Sequence, residues 1–207
     1  STAVTCTYSE DNMKTSETSR QGYRKEWEYD DFGRVVLEKS PDGYQVCHEY
    51  DGNHDLVRTW DTDGCEDLLT YDSAHNLILL REKISEGRWR ETSKAYDSMG
   101  RCIREKDALG NETVKEYGLN TVYPVRIVTP KGEETDYGYD IVGRRMSISN
   151  AYGTVELAYN SRNFVTRRTD GEGYTSHRFY DRMGKLTAYY PPVQWERKEG
   201  AHEYRYD

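Results

Sequence analysis

The sequence predicts an all-β protein: tandem antiparallel β-hairpins joined into an extended, curved sheet. Three observations carry this. First, Tyr29-Asp30-Asp31-Phe32-Gly33-Arg34 is rewritten along the chain, with Tyr-Asp returning at Tyr50, Tyr71, Tyr96, Tyr139, Tyr180 and Tyr206. Looser copies stand at Tyr8, Tyr117 and Tyr159, so from Tyr8 onward the steps are 21, 21, 21, 25, 21, 22, 20, 21 and 26 residues. A period in this range is the mark of a repeat architecture. Second, a glycine follows many of these tyrosines at fourteen residues: Gly22, Gly43, Gly64, Gly110, Gly153 and Gly173. Third, the 207 residues are only 35% hydrophobic but include nineteen tyrosines. Tyrosine supplies apolar mass while keeping a hydroxyl that needs a partner. Aromatic and β-branched residues cut by Gly and Asp favour strands over disorder.

Each repeat therefore reads as Tyr-Asp-x-x-Gly-Arg, a short run, a turn such as Pro41-Asp42-Gly43, a second run, and Tyr again. That is too short for a parallel crossover, so each unit is expected to be an antiparallel hairpin. The aspartate can bond the backbone two residues on, and the glycine four after Tyr (Gly33, Gly100, Gly143, Gly184) supplies a positive φ. Asn53 and Asn76 sit near this point in two other copies, where Asn tolerates the left-handed region. The opposite Asp-Gly turn suits a type I′ hairpin or a G1 bulge. Tyrosine at a fixed phase is expected to stack on the equivalent ring of the next hairpin.

In chain order, residues 1–28 form an imperfect first repeat, expected to fray because it lacks one neighbour. Val35–Leu37 and Leu56–Trp60 are β-forming runs, partnered by Tyr44–Glu49 and Cys65–Thr70. The four extra residues between Tyr71 and Tyr96 are placed in the turn at Ser85-Glu86-Gly87. Leu77–Leu80 reads as a strand buried on both faces. Tyr117-Gly118-Leu119-Asn120 opens a variant repeat whose Pro124 and Pro130 imply an edge or a bulge. Pro191-Pro192 reads as a loop.

Charge and motifs narrow the function. A net charge of −8 with both signs interspersed shows no basic stripe, so nucleic acid is not an expected partner. No apolar run reaches membrane-span length and no secretory signal opens the chain. Since the first residues already belong to a repeat, the start reads as a cut piece of a longer chain. Cys6, Cys47, Cys65 and Cys102 form no Cys-x-x-Cys pair and read as reduced, partly buried thiols. Cys47 lies three before Tyr50 and Cys65 six before Tyr71, offsets that put them on opposite faces of regular strands, so a disulfide between them is not expected. Asp61-Thr62-Asp63-Gly64 resembles the start of a calcium loop but lacks the remaining ligands. His48, His54, His75, His177 and His202 read as unrelated in phase, with no metal or base role. Glu26 and Glu28 have no evident way to act as an acid/base pair. Trp27, Trp60, Trp89 and Trp195 could stack on sugars or pack between hairpins. No catalytic, cofactor-binding or metal-binding residue is assigned, no cofactor is expected, and the chain is not expected to be an enzyme.

With the phased Tyr29-Asp30-x-x-Gly33-Arg34 to Asp42-Gly43 unit and its successors in view, the sequence resembles the YD repeats of Rhs proteins. Tc toxin C-component shells and teneurins share these repeats. The resemblance spans nearly the whole chain and implies one YD/Rhs repeat array over 1–207 of about nine repeats. It implies a strip that coils into a hollow shell around a C-terminal toxin or effector in interbacterial competition. A secreted or cell-surface bacterial parent follows, with neighbouring YD repeats and the cargo domain as partners. The alternative it implies is a carbohydrate-binding, adhesive module with glycans as partners. Family shells carry an Asp-Pro self-cleaving motif; no Asp-Pro occurs here, so no catalytic residue is carried over. Open sheet edges lead to an expectation of edge-to-edge self-association.

Overall fold

The computed structural model describes residues 3–119, 121–192 and 202–206. It falls into two compact units, residues 1–111 and 112–207. The first holds β1 (Thr5–Tyr8), β2 (Lys14–Thr18), β3 (Arg24–Tyr29), β4 (Val35–Lys39), β5 (Gln45–Tyr50), β6 (Leu56–Asp61), β7 (Glu66–Tyr71), β8 (Leu77–Ser85), β9 (Arg88–Tyr96) and β10 (Cys102–Lys106). The second holds β11 (Glu112–Tyr117), β12 (Pro124–Val128), β13 (Glu134–Tyr139), β14 (Arg145–Asn150), β15 (Gly153–Tyr159), β16 (Val165–Thr169), β17 (Thr175–Tyr180), β18 (Leu186–Tyr190) and β19 (His202–Glu203). Within each unit every strand pairs antiparallel with the next in sequence, which is the tandem-hairpin plan expected.

The repeat tyrosine ends every odd-numbered strand up to β17. A register shift accompanies it, as at Glu28/Tyr29, Glu49/Tyr50, Thr70/Tyr71 and Phe179/Tyr180. In every copy other than the one after Tyr117, the turn that follows is the same. In the first clean copy the Gly33 amide donates to the Asp30 carbonyl and the Asp30 amide to the Arg34 carbonyl, both at 3.0 Å, with Gly33 at φ 75. The opposite turn repeats this pattern, Gly43 to Ser40 and Ser40 to Tyr44, with Gly43 at φ 90. Of the two options for that turn, the G1 bulge is the one formed, because a type I′ turn needs two central residues at positive φ and Asp42 is not one of them.

Several local expectations are corrected. The left-handed residue in the copies after Tyr50 and Tyr71 is His54 (φ 71) and His75 (φ 63), not Asn53 or Asn76. The turn geometry fixes the position four after Tyr regardless of which residue occupies it. The four extra residues before Tyr96 lengthen β8 and β9 to nine residues each, rather than the turn, which stays tight between Ser85 and Arg88. Leu77–Leu80 is only half-buried. Indeed no apolar side chain among the described residues is fully buried; Ser16 and Ser176 are the buried ones. A sheet one layer thick has no interior, so cross-strand and inter-repeat contacts must supply what a core would. Pro124 opens the interior strand β12 opposite the shift at Glu116/Tyr117, so the variant repeat is bulged rather than at an edge. Every repeat has a shift there, and proline uses a place where no ladder donor is required. Pro130 sits in the turn that the Thr129 and Gly132 amides close. Pro191 and Pro192 follow β18; Trp195 and Asn120 lie outside the described residues.

Candidate functional site

The element the molecule repeats, and so its candidate working part, is the Tyr-Asp-x-x-Gly-Arg box. Each position has an identifiable task. The tyrosine hydroxyl donates to the carbonyl that opens the preceding strand: Tyr29 to Lys14 at 2.7 Å, Tyr50 to Val35 at 3.0 Å, Tyr96 to Leu77 at 3.2 Å, Tyr139 to Pro124 at 3.1 Å, Tyr159 to Arg145 at 2.8 Å and Tyr180 to Val165 at 2.9 Å. The aspartate carboxylate accepts the amides two and four residues on, as Asp30 does from Phe32 and Arg34, both at 3.0 Å. The arginine returns to that carboxylate: Arg34–Asp30 at 2.6 Å, Arg101–Asp97 at 2.7 Å and Arg144–Asp140 at 2.6 Å. The Arg34 and Arg101 hydrogen bonds hold the Asp30 and Asp97 carboxyls below their ordinary range.

The repeat tyrosine does not stack on its equivalent in the next hairpin, as the sequence suggested. Its ring instead receives the residue five after the preceding repeat tyrosine. Arg34 lies over Tyr50 at 4.5 Å, Arg144 over Tyr159 at 5.0 Å and Lys185 over Tyr206 at 4.7 Å. Where an aromatic stands just before the intervening strand, Phe164 five after Tyr159 or Tyr123 six after Tyr117, the stack is ring on ring, Tyr123–Tyr139 at 5.5 Å and Phe164–Tyr180 at 4.9 Å. The signal was present in the sequence: Arg34, Tyr123 and Phe164 each stand sixteen residues before the tyrosine they cover. Equivalent tyrosines lie two strands apart, too far for direct stacking at a strand spacing of about 4.8 Å. The residue just before the strand between them is near enough.

The left-handed position four after Tyr closes the same contact from outside. His54 Nδ1 meets Arg34 Nη1 at 3.0 Å, His75 Nδ1 meets Asp55 Oδ2 at 2.8 Å, and Asn163 Oδ1 accepts from Arg144 at 3.0 Å. In one glycine copy a side chain would also collide: a Cβ on Gly184 would stand 2.5 Å from Phe164 Cζ. His54 and His75 thus share a phase, four residues after Tyr50 and Tyr71, which corrects the view that the histidines are unrelated. Their partners are structural, the Arg34 guanidinium and the Phe32 ring for His54 and the Asp55 carboxylate for His75. His48 lies 3.5 Å from Glu38. Burial and the nearby Arg167 push the His177 imidazole below its ordinary value. His202 is exposed in β19.

The remaining residues singled out by sequence are also accounted for. Both oxygens of Asp61 are engaged: Oδ1 accepts the Asp63 and Cys65 amides at 2.9 Å and Oδ2 the Tyr44 hydroxyl at 2.8 Å. That bond holds the Asp61 carboxyl down and pushes the Tyr44 phenol up to about 12. This Asp-rich turn is occupied by its own chain. Among the described residues no group of three His, Cys, Asp or Glu side chains is placed to hold a metal. Glu26 pairs with Arg24 at 2.8 Å and Glu28 with Lys39 at 2.6 Å. A cation covers each described tryptophan: Lys14 on Trp27 at 5.3 Å, Arg58 on Trp60 at 4.5 Å and Arg81 on Trp89 at 5.2 Å. All four cysteines are free, but Cys6 and Cys65 are exposed rather than partly buried, and Cys65 lies in a turn rather than a strand. A groove of about 600 Å³ runs between the turns at Thr129–Glu133 and Asn150–Tyr152 and opens to solvent.

A phased box that fastens each hairpin to the next defines a class, the tandem YD-repeat array. The fold is the Rhs-type YD-repeat fold, and it is the one seen in Tc toxin structures. The crystal structure of TcdB2-TccC3-TEV is similar with a TM-score of 0.70 and 16% identity over 92% of this chain. The Photorhabdus luminescens Tc holotoxin pore is similar with a TM-score of 0.66 and 18% identity over 88% of this chain. TcdB2-TccC3 itself gives a TM-score of 0.68 and 16% identity. The chain spans 13% of the length of the TcdB2-TccC3-TEV chain and 12% of the holotoxin chain. No protein-family model and no curated protein matches the sequence.

Proposed function

We propose that residues 1–207 act as one continuous repeat array, a non-catalytic wall segment of an Rhs-type shell. The shell encloses a C-terminal toxin or effector domain of a secreted or surface-exposed bacterial protein used in interbacterial competition. The observation that carries this reading is the match of 92% of the chain to the TcdB2-TccC3-TEV structure, over 13% of that chain. The physical chemistry supports it. A sheet without a fully buried apolar side chain gains nothing from wrapping a core of its own, and suits a wall wetted on both faces. Many of its charged side chains are tied up in local pairs, and Asp61, His54 and His75 hold turn and seam contacts.

The alternative, a carbohydrate-binding adhesive surface, needs open aromatic faces on which a sugar ring can stack. The cations over Trp27, Trp60 and Trp89 weigh against it. Limited proteolysis of the parent chain with its downstream region, read by mass spectrometry, tests the proposal. A downstream piece that resists protease until the repeats are opened is the expected result. A downstream region digested at once, or none at all, would overturn encapsulation and make a glycan screen the next measurement.

A further inference from the structure

The turns that follow the repeat tyrosines form one rim of each unit, and the two rims differ in chemistry. In the second unit Leu119, Val122, Ile141, Val142 and Met183 project from this rim, with exposures of 92%, 74%, 102%, 69% and 83%. Leu119, Val122, Ile141 and Val142 stand on two neighbouring turns and Met183 two turns further on, where a soluble surface places polar residues, and such apolar exposure marks an interaction site. The rim is also braced. Arg144 donates to the Asn160 carbonyl at 3.1 Å, tying the turn at 140–144 to the next. Arg162 in turn donates to the Asp181 and Arg182 carbonyls, tying that turn to the one at 181–185. Its charged residues are mainly basic: Arg144, Arg162, Arg182 and Lys185 against Asp140 and Asp181.

The same positions in the first unit carry eight acidic and two basic side chains. Asp30 and Asp97 are paired with arginines, whereas Glu10, Asp11 and Asp31 are exposed. Two exposed apolar side chains, Phe32 and Met99, stand among these carboxylates. Both rims are built on the same unit, with turns two strands apart and hence roughly 10 Å between knobs. Spacing, charge sign and apolar content are complementary.

We propose that the apolar, basic rim at residues 118–185 docks the acidic rim of the first unit of a second copy of this chain. The contact joins unlike surfaces, so it is distinct from the strand-edge pairing that open sheets invite. The measurement is sedimentation velocity of the full chain across concentration and salt. Self-association that weakens as salt rises is expected, since the charges lie at the surface.

Two variants make the contact directional. Ile141→Asp with Met183→Glu spoils one rim, and Asp11→Lys with Asp31→Lys spoils the other. All four positions are exposed turn residues, and circular dichroism confirms that the fold is kept. Each variant alone is expected to lose association by about tenfold or more. An equimolar mixture is expected to recover a one-to-one heterodimer, because each variant keeps the rim the other lacks. A wild-type chain that stays monomeric at all concentrations overturns the proposal. Association that survives both variants also overturns it and assigns contact to the strand edges. A mixture that forms no heterodimer overturns the pairing of unlike rims.

Discussion

The two units share a cationic inter-repeat contact, and the second adds an aromatic one. In residues 1–111 the polar version is prominent: Arg34 binds Asp30, lies over Tyr50 and meets His54, and Asp55 holds His75. In residues 112–207 the polar version returns, with Arg144 over Tyr159 and Lys185 over Tyr206, but an aromatic version joins it: Tyr123 stacks on Tyr139 and Phe164 on Tyr180, with Gly143 and Gly184 against those rings. Charge follows the same division, with 23 acidic and 15 basic residues in the first unit and 14 of each in the second. The backbone geometry is constant while the side chains vary. The repeat therefore specifies a place, the residue just before the strand that follows the Tyr turn and the Tyr ring of the next repeat, that an ion or a ring can fill.

The largest expected effect breaks the aromatic version. Gly184→Ala adds a Cβ that meets Phe164 Cζ at 2.5 Å, at φ +86. Left-handed strain together with overpacking should cost about 2–4 kcal/mol. Gly43→Ala has φ +90 but nothing within 4 Å, so only the strain remains, about 1–2 kcal/mol. Urea unfolding of both variants measures the difference. Equal losses would show that Phe164 yields freely and that the ring contact does not constrain the turn. Stability in repeat arrays is largely local, so hydrogen exchange should place the Gly184→Ala loss in β16 to β18.

A smaller effect separates the tyrosines themselves. Tyr50→Phe removes the hydroxyl that donates to the Val35 carbonyl at 3.0 Å and should cost about 1 kcal/mol. Tyr71 occupies the same phase, yet its hydroxyl has no hydrogen-bond partner among the described residues. Burial, with Asp55 and Asp51 nearby, pushes its phenol up. Tyr71→Phe should therefore lie within about 0.5 kcal/mol of the parent. If both substitutions cost the same, the hydroxyl bond is not what the repeat tyrosine contributes, and ring packing alone explains its recurrence.

Much of this was legible in the sequence, and the parts that were not share a cause. The tyrosine period, the Asp and Gly turn chemistry and the antiparallel order follow from local rules, and the structure has them all. The ring contacts were missed because stacking Tyr on Tyr treats the hairpin as the neighbour unit, whereas the strand that lies beside each tyrosine is immediately preceded by Arg34, Tyr123 or Phe164. His54 and His75 were missed because their role depends on φ rather than residue type. Asn53 and Asn76 have the better left-handed propensity, but the turn places φ > 0 four residues after Tyr whatever stands there. The extra residues around Ser85 were misplaced because a longer repeat can lengthen its strands as readily as its turn. The exposed rim of the second unit carries no motif at all, and only the turn geometry shows that Ile141, Val142 and Met183 point outward together.

The smallest expected effect distinguishes the units by pH. His177 in β17 is held below the ordinary histidine value of 6.5 by burial and by Arg167, its cross-strand partner in β16. A base with a depressed folded pKa binds its proton more readily when unfolded. Stability is therefore complete above about pH 6.5 and falls as pH drops from there toward the folded value. In the first unit Asp30, Asp72 and Asp97 lie below the ordinary value of 3.8, through hydrogen bonds from Arg34, Asn76 and Arg101 respectively. Their contribution persists above pH 3.8 and is lost only as pH falls through the depressed values. Acidification should thus loosen β16 and β17 in a shallow step beginning near neutrality, well before the first unit responds. Hydrogen exchange between pH 7.5 and 5 reads this directly, and His177→Gln should flatten the slope in the second unit while leaving the first unchanged. A step near pH 6 that persists in His177→Gln would move its origin to another group. Simultaneous loosening of both units would mean that charge does not divide the array as its composition implies.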